Sequence, residues 1–169
     1  PIGSDVGKLL FMAIYLTELD DSLSFPSPYD ALSDPNGLLA FGGDLNPDRI
    51  LCGYQQGIFP WYGPGEPILW WSPSPRAVFD PLTFTPSKSL KKFQRKQQYK
   101  VTLNNATERV IQFCSSTRPA EETWLNDEMQ ASYIELAKRG HCHSVEVWHD
   151  DQLIGGLYGI SVGRLFCGE

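Results

Sequence analysis

Ser144-Val145-Glu146-Val147-Trp148, then Asp150-Asp151, then Leu153-Ile154-Gly155-Gly156-Leu157-Tyr158-Gly159-Ile160 is the stretch that decides the fold. β-Branched and aromatic residues alternate with polar ones over the first arm, the period-2 signature of a half-buried strand. The aspartate pair supplies a turn, and the second arm returns as the partner of a hairpin. Gly163 then turns the chain again into Leu165-Phe166-Cys167. Three arms in succession predict an antiparallel meander. The segments before it have helical texture, so the expected class is α+β. A sheet of this kind needs cover on both faces. The sequence stops at Gly168-Glu169, directly after a strand, and the expectation is therefore a domain truncated at its C-terminal end.

Working outward, Asn126 or Asp127 caps a helix whose apolar stripe is Met129, Tyr133, Leu136 and Ala137, with Gly140 as its stop. Asn105 to Cys114 is expected as a helix with Ala106, Val110 and Phe113 on one side. Lys100 to Leu103 is a short strand. Thr85-Pro86 opens a helix to about Gln97, and Arg76 to Phe79 is expected as a strand. Before Pro75 the texture changes to Phe25-Pro26-Ser27-Pro28, Asp34-Pro35-Asn36-Gly37 and Phe59-Pro60-Trp61. Such punctuation allows short strands, turns and one helix from Pro47 to Gln56, capped by Asn46. The organisation expected is a small loop-rich N-terminal lobe over residues 1–75 and a second domain over 76–169. The opening Pro1 to Gly7 reads as a variable start.

Hydrophobic residues make up 41% and charged residues 20%, an ordinary globular balance that argues against disorder. The longest apolar run near the start, Leu9 to Leu16, is far short of the ~20 residues a membrane span requires. No secretory leader is recognisable. Cys52, Cys114, Cys142 and Cys167 are irregularly spaced without a C-x-x-C pair, which favours buried reduced thiols and a cytoplasmic location. The net charge of −6 would argue against a polyanionic partner. That average conceals a local inversion. Lys88, Lys91, Lys92, Arg95, Lys96 and Lys100 fall within 14 residues that contain no acid, leaving eight basic against 20 acidic residues elsewhere.

On a helix turning about 100° per residue, Leu90, Phe93 and Gln97 share one face, while Lys88, Lys91, Lys92, Arg95 and Lys96 share the other. One side would pack on the protein, and the other would track phosphates, positioning an RNA without reading its sequence. A solvated amphipathic helix gives the same pattern, but not the absence of compensating acids. A second candidate is the aromatic cluster Tyr54, Phe59, Trp61, Tyr62, Trp70 and Trp71, on which a base could stack for ~1–3 kcal/mol. Several of these rings would equally serve as core. Trp70 and Trp71 are adjacent on a strand, so at most one can line a given groove. A third candidate combines Leu157 and Phe166, on neighbouring arms, as the walls of a small apolar pocket with Glu169 at its rim. Glycines among these strands point to close approach of a ligand. His141-Cys142-His143 offers two possible ligands but no third, so no metal site is expected. Neither a nucleophile elbow nor a phosphate-cradling P-loop is present.

Taken in order, long runs of the chain resemble the leucyl/phenylalanyl-tRNA–protein transferase family. They include Asp34-Pro35-Asn36-Gly37-Leu38-Leu39-Ala40, Gly42-Gly43-Asp44-Leu45, Gln56-Gly57-Ile58-Phe59-Pro60-Trp61 and Pro67-Ile68-Leu69-Trp70-Trp71-Ser72-Pro73. Further on come Thr123-Trp124, His143-Ser144-Val145-Glu146-Val147-Trp148 and Leu165-Phe166-Cys167-Gly168-Glu169. The resemblance implies a C-terminal domain similar to the GNAT acyltransferase fold. It implies transfer of Leu or Phe from Leu-tRNA or Phe-tRNA to acceptor proteins with N-terminal Lys or Arg, marking them for degradation. No cofactor is implied. By the same resemblance Trp61 and Trp124 match an adenosine platform, Leu157 and Phe166 the wall of the amino-acid pocket, and Glu169 a carboxylate beside the reacting ester. The basic helix matches the tRNA-binding surface. Leu157 stands where some members have methionine, a volume-conserving change. The family pattern continues past Glu169, and no residue is carried over for that part. Two rival readings follow from the residues alone: a CoA-dependent GNAT-type enzyme acting on a small molecule, or a non-catalytic RNA-binding module.

Overall fold

The computed structural model describes residues 16–119 and 122–169. The variable start and nearly all of the Leu9–Leu16 run lie outside them.

Two helices begin where side-chain caps dictate. α1 (Pro47–Gln55) starts with Asn46, whose Oδ1 accepts from the Asp48 amide at 2.9 Å, and with Pro47 at a position that needs no amide proton. α4 (Asp127–Lys138) starts with Asn126, whose Oδ1 accepts from the Met129 amide at 2.9 Å. Met129, Tyr133 and Leu136 then fall at helical spacing and are fully buried. Burying side chains of this size contributes roughly 2 kcal/mol each. Gly140 closes the helix at φ +81°, a conformation a Cβ would disfavour, and the His141 amide donates back to the Leu136 carbonyl.

The first sheet is built from four short strands in the order β1 (Thr17–Leu19), β2 (Leu38–Gly42), β4 (Leu69–Trp71) and β3 (Phe59–Pro60). β1 runs parallel to β2, and the other pairs are antiparallel. Trp70 is its buried centre, donating from Nε1 to the Gly42 carbonyl at 3.0 Å and taking the edge of Phe25. Trp71 points the other way, donating to the Trp61 carbonyl at 2.6 Å.

The second sheet is the expected meander with one strand added at its edge. Its order is β5 (Tyr99–Leu103), β6 (Cys142–His149), β7 (Gln152–Val162) and β8 (Leu165–Gly168), antiparallel throughout. On β6 and β7 the residues Cys142, Ser144, Glu146, Tyr158 and Ile160 face inward and are buried. α3 (Thr107–Ser116) and α4 pack over that face, and α1 reaches it from the first sheet. The opposite face carries Val101, Leu103, Val145, Val147, Leu157 and Phe166. It is open among the described residues, with Val101 62% and Leu103 67% exposed. This is the uncovered face that the sequence pattern anticipates.

Several expectations need correction. Arg76 to Phe79 forms no strand. It is held between Pro75 and Pro81, pairs with no described strand, and leaves Val78 and Phe79 in solvent. The basic helix, α2 (Lys88–Lys96), starts later than Thr85-Pro86, because Ser87 takes the cap and its Oγ accepts from the Leu90 amide. Of the four cysteines only Cys142 is buried; the others are half-buried and all are free thiols. Finally, two of the three glycines of β7 stand where packing leaves no room for a side chain, whereas a Cβ at Gly155 would make only ordinary contact. A Cβ at Gly156 would meet the Val145 carbonyl oxygen and Val110. At Gly159 it would run into the Cys167 carbonyl and come within 2.7 Å of Phe166 Cζ. Among the described residues no helix is long and apolar enough to cross a membrane.

Candidate active site

Strand register decides which predicted residues meet. Gly159 pairs with Gly168 and Ser161 with Phe166, so one step further Glu169 stands opposite Tyr158, whose carbonyl accepts from the Glu169 amide at 2.9 Å. Side chains alternate between faces along a strand. Phe166 therefore shares the open face with Leu157, and its ring lies over Gly159. Glu169 shares the helix-covered face with Tyr158. The two apolar residues do come together on one side, half exposed, but Glu169 is not at their rim. It turns away from them across the strand.

What Glu169 meets is a cluster of tyrosines. Although the residue as a whole is exposed, its side-chain carboxyl points inward and accepts a hydrogen bond from the Tyr54 hydroxyl. The Tyr54 and Tyr133 hydroxyl oxygens are 2.7 Å apart. The Tyr133 ring is packed edge-on by Tyr54, Trp124 and Tyr158, with centroids 6.5, 6.5 and 5.4 Å away. α1, α4 and β7 thus each contribute one ring. Burial pushes the Glu169 carboxyl up to about 7, against the opposing pull of the Tyr54 hydroxyl and the Arg76 guanidinium. Burial likewise raises the Tyr54 and Tyr133 hydroxyls well above their ordinary range. A carboxyl held near neutrality can take up or release a proton under ordinary conditions.

The tryptophans occupy the neighbouring surface. Trp61 is 52% exposed and stacked edge-on against Trp71 at 5.8 Å. Trp124 is half-buried against Tyr133. Their segments are joined where Asn126 Nδ2 donates to the Tyr62 hydroxyl at 2.9 Å. Arg76 sets its guanidinium over the Phe59 ring at 4.9 Å.

α2 stands apart from this cluster. Lys88, Lys91, Lys92, Arg95 and Lys96 are all exposed, and no described acid forms an ion pair with them. The expectation that its apolar side packs down is not met. Leu90 and Phe93 remain 41% and 49% exposed, with Phe93 touching only the ring of Tyr99 among described aromatics. The His141-Cys142-His143 run is also dispersed. Cys142 turns inward, while the ring nitrogens of His143 sit 3.1 Å from Asn104 Nδ2 and 3.1 Å from Ser161 Oγ. An apolar cavity of about 300 Å³ opens between α3 and β7, lined by Val110, Phe113, Cys114, Leu153 and Ile154. It contains no charged side chain and is separate from Glu169.

Sequence reasoning missed Tyr133, Tyr158 and Arg76 as neighbours of Glu169. The one available signal was chemical: tyrosine on an otherwise apolar buried stripe carries a hydroxyl that needs a partner.

Together these features define an α+β protein with a shielded, near-neutral carboxyl beside an aromatic surface and a detached cationic helix. Comparison with known sequences narrows that class. Residues 78–169 match the family described as Leucyl/phenylalanyl-tRNA protein transferase, and residues 43–74 match that family's N-terminal domain. The chain belongs to this family. Proteins named leucyl/phenylalanyl-tRNA–protein transferase are 90% identical to it in Vibrio campbellii, 84% in Vibrio parahaemolyticus and 60% in Photobacterium profundum. Each comparison covers 94% of this chain and 67% of the relative, so the chain spans about two thirds of their length.

Proposed function

We propose that this chain is the greater part of an aminoacyltransferase that moves leucine or phenylalanine from aminoacyl-tRNA to a protein. The observation that carries the reading is the family match over 78–169, which includes the carboxyl held in the tyrosine cluster. Acceptors begin with Lys or Arg, and the reaction takes place in the cytoplasm. The donor ester is already activated, so no covalent enzyme intermediate is required. The acceptor α-amine loses a proton and attacks the ester carbonyl. A tetrahedral oxyanion forms, the ribose oxygen leaves with a proton, and a peptide bond remains.

Orientation of the two reactants is the main task, and it can supply several kcal/mol of the barrier. In this reading Trp61 and Trp124 receive the terminal adenosine, and Leu157 and Phe166 form one wall for the amino-acid side chain. Glu169 attracts the cationic acceptor and takes its proton. Glu169 and Phe166 face opposite sides of β8, so in this reading they serve different parts of the reaction, Phe166 the amino-acid side chain and Glu169 the acceptor amine. Selection by an apolar wall is worth ~1–3 kcal/mol per methylene, which favours γ-branched and aromatic side chains without strict exclusion. Lys88, Lys91, Lys92, Arg95 and Lys96 hold phosphates of the tRNA. That none of them forms an ion pair among the described residues supports this role.

The test is transfer of labelled leucine from Leu-tRNA to an Arg-starting peptide by the complete gene product. Transfer to Arg- but not Asp-starting peptides is expected; equal transfer to both, or none, refutes the reading. In the same assay, reversing Lys91, Lys92 and Arg95 to Glu should weaken tRNA use at least tenfold and flatten its salt dependence by about 2–3 logarithmic units of slope. An unchanged slope removes α2 from the tRNA contact.

A further inference from the structure

The tyrosine cluster has an internal direction. A phenolic hydroxyl carries one proton. When Glu169 is ionised it can only accept, so Tyr54 donates to it and the contact between the hydroxyls is made with Tyr133 as donor to Tyr54. In that state the hydrogen bonds run from Tyr133 on α4 through Tyr54 on α1 to Glu169. Both tyrosine side chains are enclosed, Tyr133 completely and Tyr54 to within 6%. Purely structural packing would be served as well by phenylalanine at both positions, since the rings already meet edge-on. Tyr158, in the same cluster, shows what an unconnected hydroxyl looks like there: its Oη is buried with no hydrogen-bond partner among the described residues.

We infer that Tyr54 and Tyr133 are positioning residues for aminoacyl transfer, a two-hydroxyl relay that orients the Glu169 carboxylate and sets the pH at which it takes a proton from the acceptor amine. This rests on the role proposed above for Glu169. The other titratable groups around the carboxyl are Tyr158 on β7, Cys142 on β6, Cys167 on β8 and Arg76 on the loop after β4. Arg76 alone among them is cationic, and it works in the same sense as Tyr54, favouring the ionised form. Tyr54 differs in touching the carboxyl directly, so its hydroxyl fixes a direction as well as a charge state. Tyr133 makes no hydrogen bond to the carboxyl, and its hydroxyl reaches it through Tyr54.

The experiment is the pH dependence of kcat for leucine transfer by the complete gene product, in wild type, Tyr54→Phe, Tyr133→Phe and the double variant. Removing the Tyr54 hydroxyl deletes an interaction that favours the carboxylate, so the rising limb should move about one pH unit to higher pH. At pH 7 kcat should fall about fivefold, while KM for the aminoacyl-tRNA holds. Tyr133→Phe should move the limb in the same direction but less, and the double variant should match Tyr54→Phe, as expected for groups acting in series. The acceptor amine titrates identically in all four proteins, so differences between limbs belong to the enzyme. Tyr158→Phe, which loses a hydroxyl with no partner among the described residues, should leave the limb in place. An unmoved limb in Tyr54→Phe, or independent additive shifts from the two tyrosines, overturns the relay. Should Tyr54→Phe not fold, Tyr133→Phe alone carries the test, and an unmoved limb there overturns it. If wild type transfers no leucine at any pH, it is the functional reading that fails. The relay is then judged by the carboxyl infrared band of Glu169, which must titrate higher in Tyr54→Phe than in wild type.

Discussion

Two glutamates face the helix-covered side of the same sheet, and the surrounding donors give them opposite characters. Glu146, in the middle of β6, is fully buried at the start of α3. It accepts from Thr102 Oγ1 at 2.5 Å, from the Asn105 and Ala106 amides at 3.4 and 3.3 Å, and from Ser144 Oγ. Burial by itself would raise its carboxyl, but these donors outweigh it and hold the group below the usual carboxylate range. Glu169, two strands away, has one side-chain donor among the described residues, and there burial wins. The difference teaches that a ring of donors keeps a carboxylate ionised, whereas poor solvation with little donor support pushes one toward its protonated form. Glu146 also does a helix cap's work. Ala106 at the cap position has no side-chain oxygen to offer, and the carboxylate from the adjoining strand satisfies the amides there instead.

The largest expected effect breaks the satisfied member of the pair. Glu146→Ala strands four donors at once, two of them backbone amides at a helix start. Denaturant unfolding should show a loss of about 3 kcal/mol. Its acid dependence has a definite sign. The folded carboxyl is lowered, so its stabilisation is present above the ordinary glutamate range and disappears as pH falls through the folded value. Glu146→Ala should therefore lose the acid-sensitive part of the wild-type stability curve. A loss under 1 kcal/mol would show that Glu146 and Glu169 differ less than their surroundings suggest.

A smaller perturbation sharpens the same comparison by removing one donor. Thr102 Oγ1 donates to Glu146 and accepts from Trp148 Nε1 at 2.8 Å. Thr102→Val keeps the shape, leaves three donors on the carboxylate and deprives the indole of its acceptor. The expected cost is about 1.5 kcal/mol, read by the same unfolding measurement. Half the Glu146→Ala effect or less means the donors share the load; an equal effect would mean Thr102 carries it alone.

Much of this arrangement was legible in the sequence, and the limits are physical. The hairpin around Asp150-Asp151 and the stripe of α4 follow from local periodicity and capping, which act within a few residues. So does α1, where Asn46-Pro47 fixes the start. Arg76 to Phe79 has strand-forming residues but no partner, and partnership is a tertiary fact. The placement of Phe166 and Glu169 was half legible. Residues three apart on a strand must face opposite ways, and only the assumption of a shared pocket obscured that. Conversely, Tyr54 and Tyr133 are 79 positions apart, and no local pattern could join their hydroxyls. Close approach is present at Gly156 and Gly159, where Val110, Phe166 and neighbouring carbonyls crowd the backbone.

The smallest expected effect tests the under-supplied member of the pair. Here the sign reverses. The folded carboxyl of Glu169 is raised to about 7, above its ordinary value, so the folded state holds the proton more tightly than the unfolded chain. Stability is then greatest below the unfolded value and declines as pH rises toward about 7, because ionisation must occur in a poorly solvated place. Glu169→Gln cannot ionise and keeps an oxygen to accept from Tyr54. In the complete gene product its stability should match wild type below the ordinary glutamate value, near pH 4, and exceed it at pH 8. The solvent exposure of the residue limits the gain to about 1 kcal/mol or less. Glu146→Gln should show no such alkaline gain, since the native carboxylate there is favoured by its donors. Unfolding curves for wild type and Glu169→Gln that stay parallel from pH 4 to 8 would mean that Glu169 is solvated like any surface glutamate. The contrast with Glu146 would then lie in position alone.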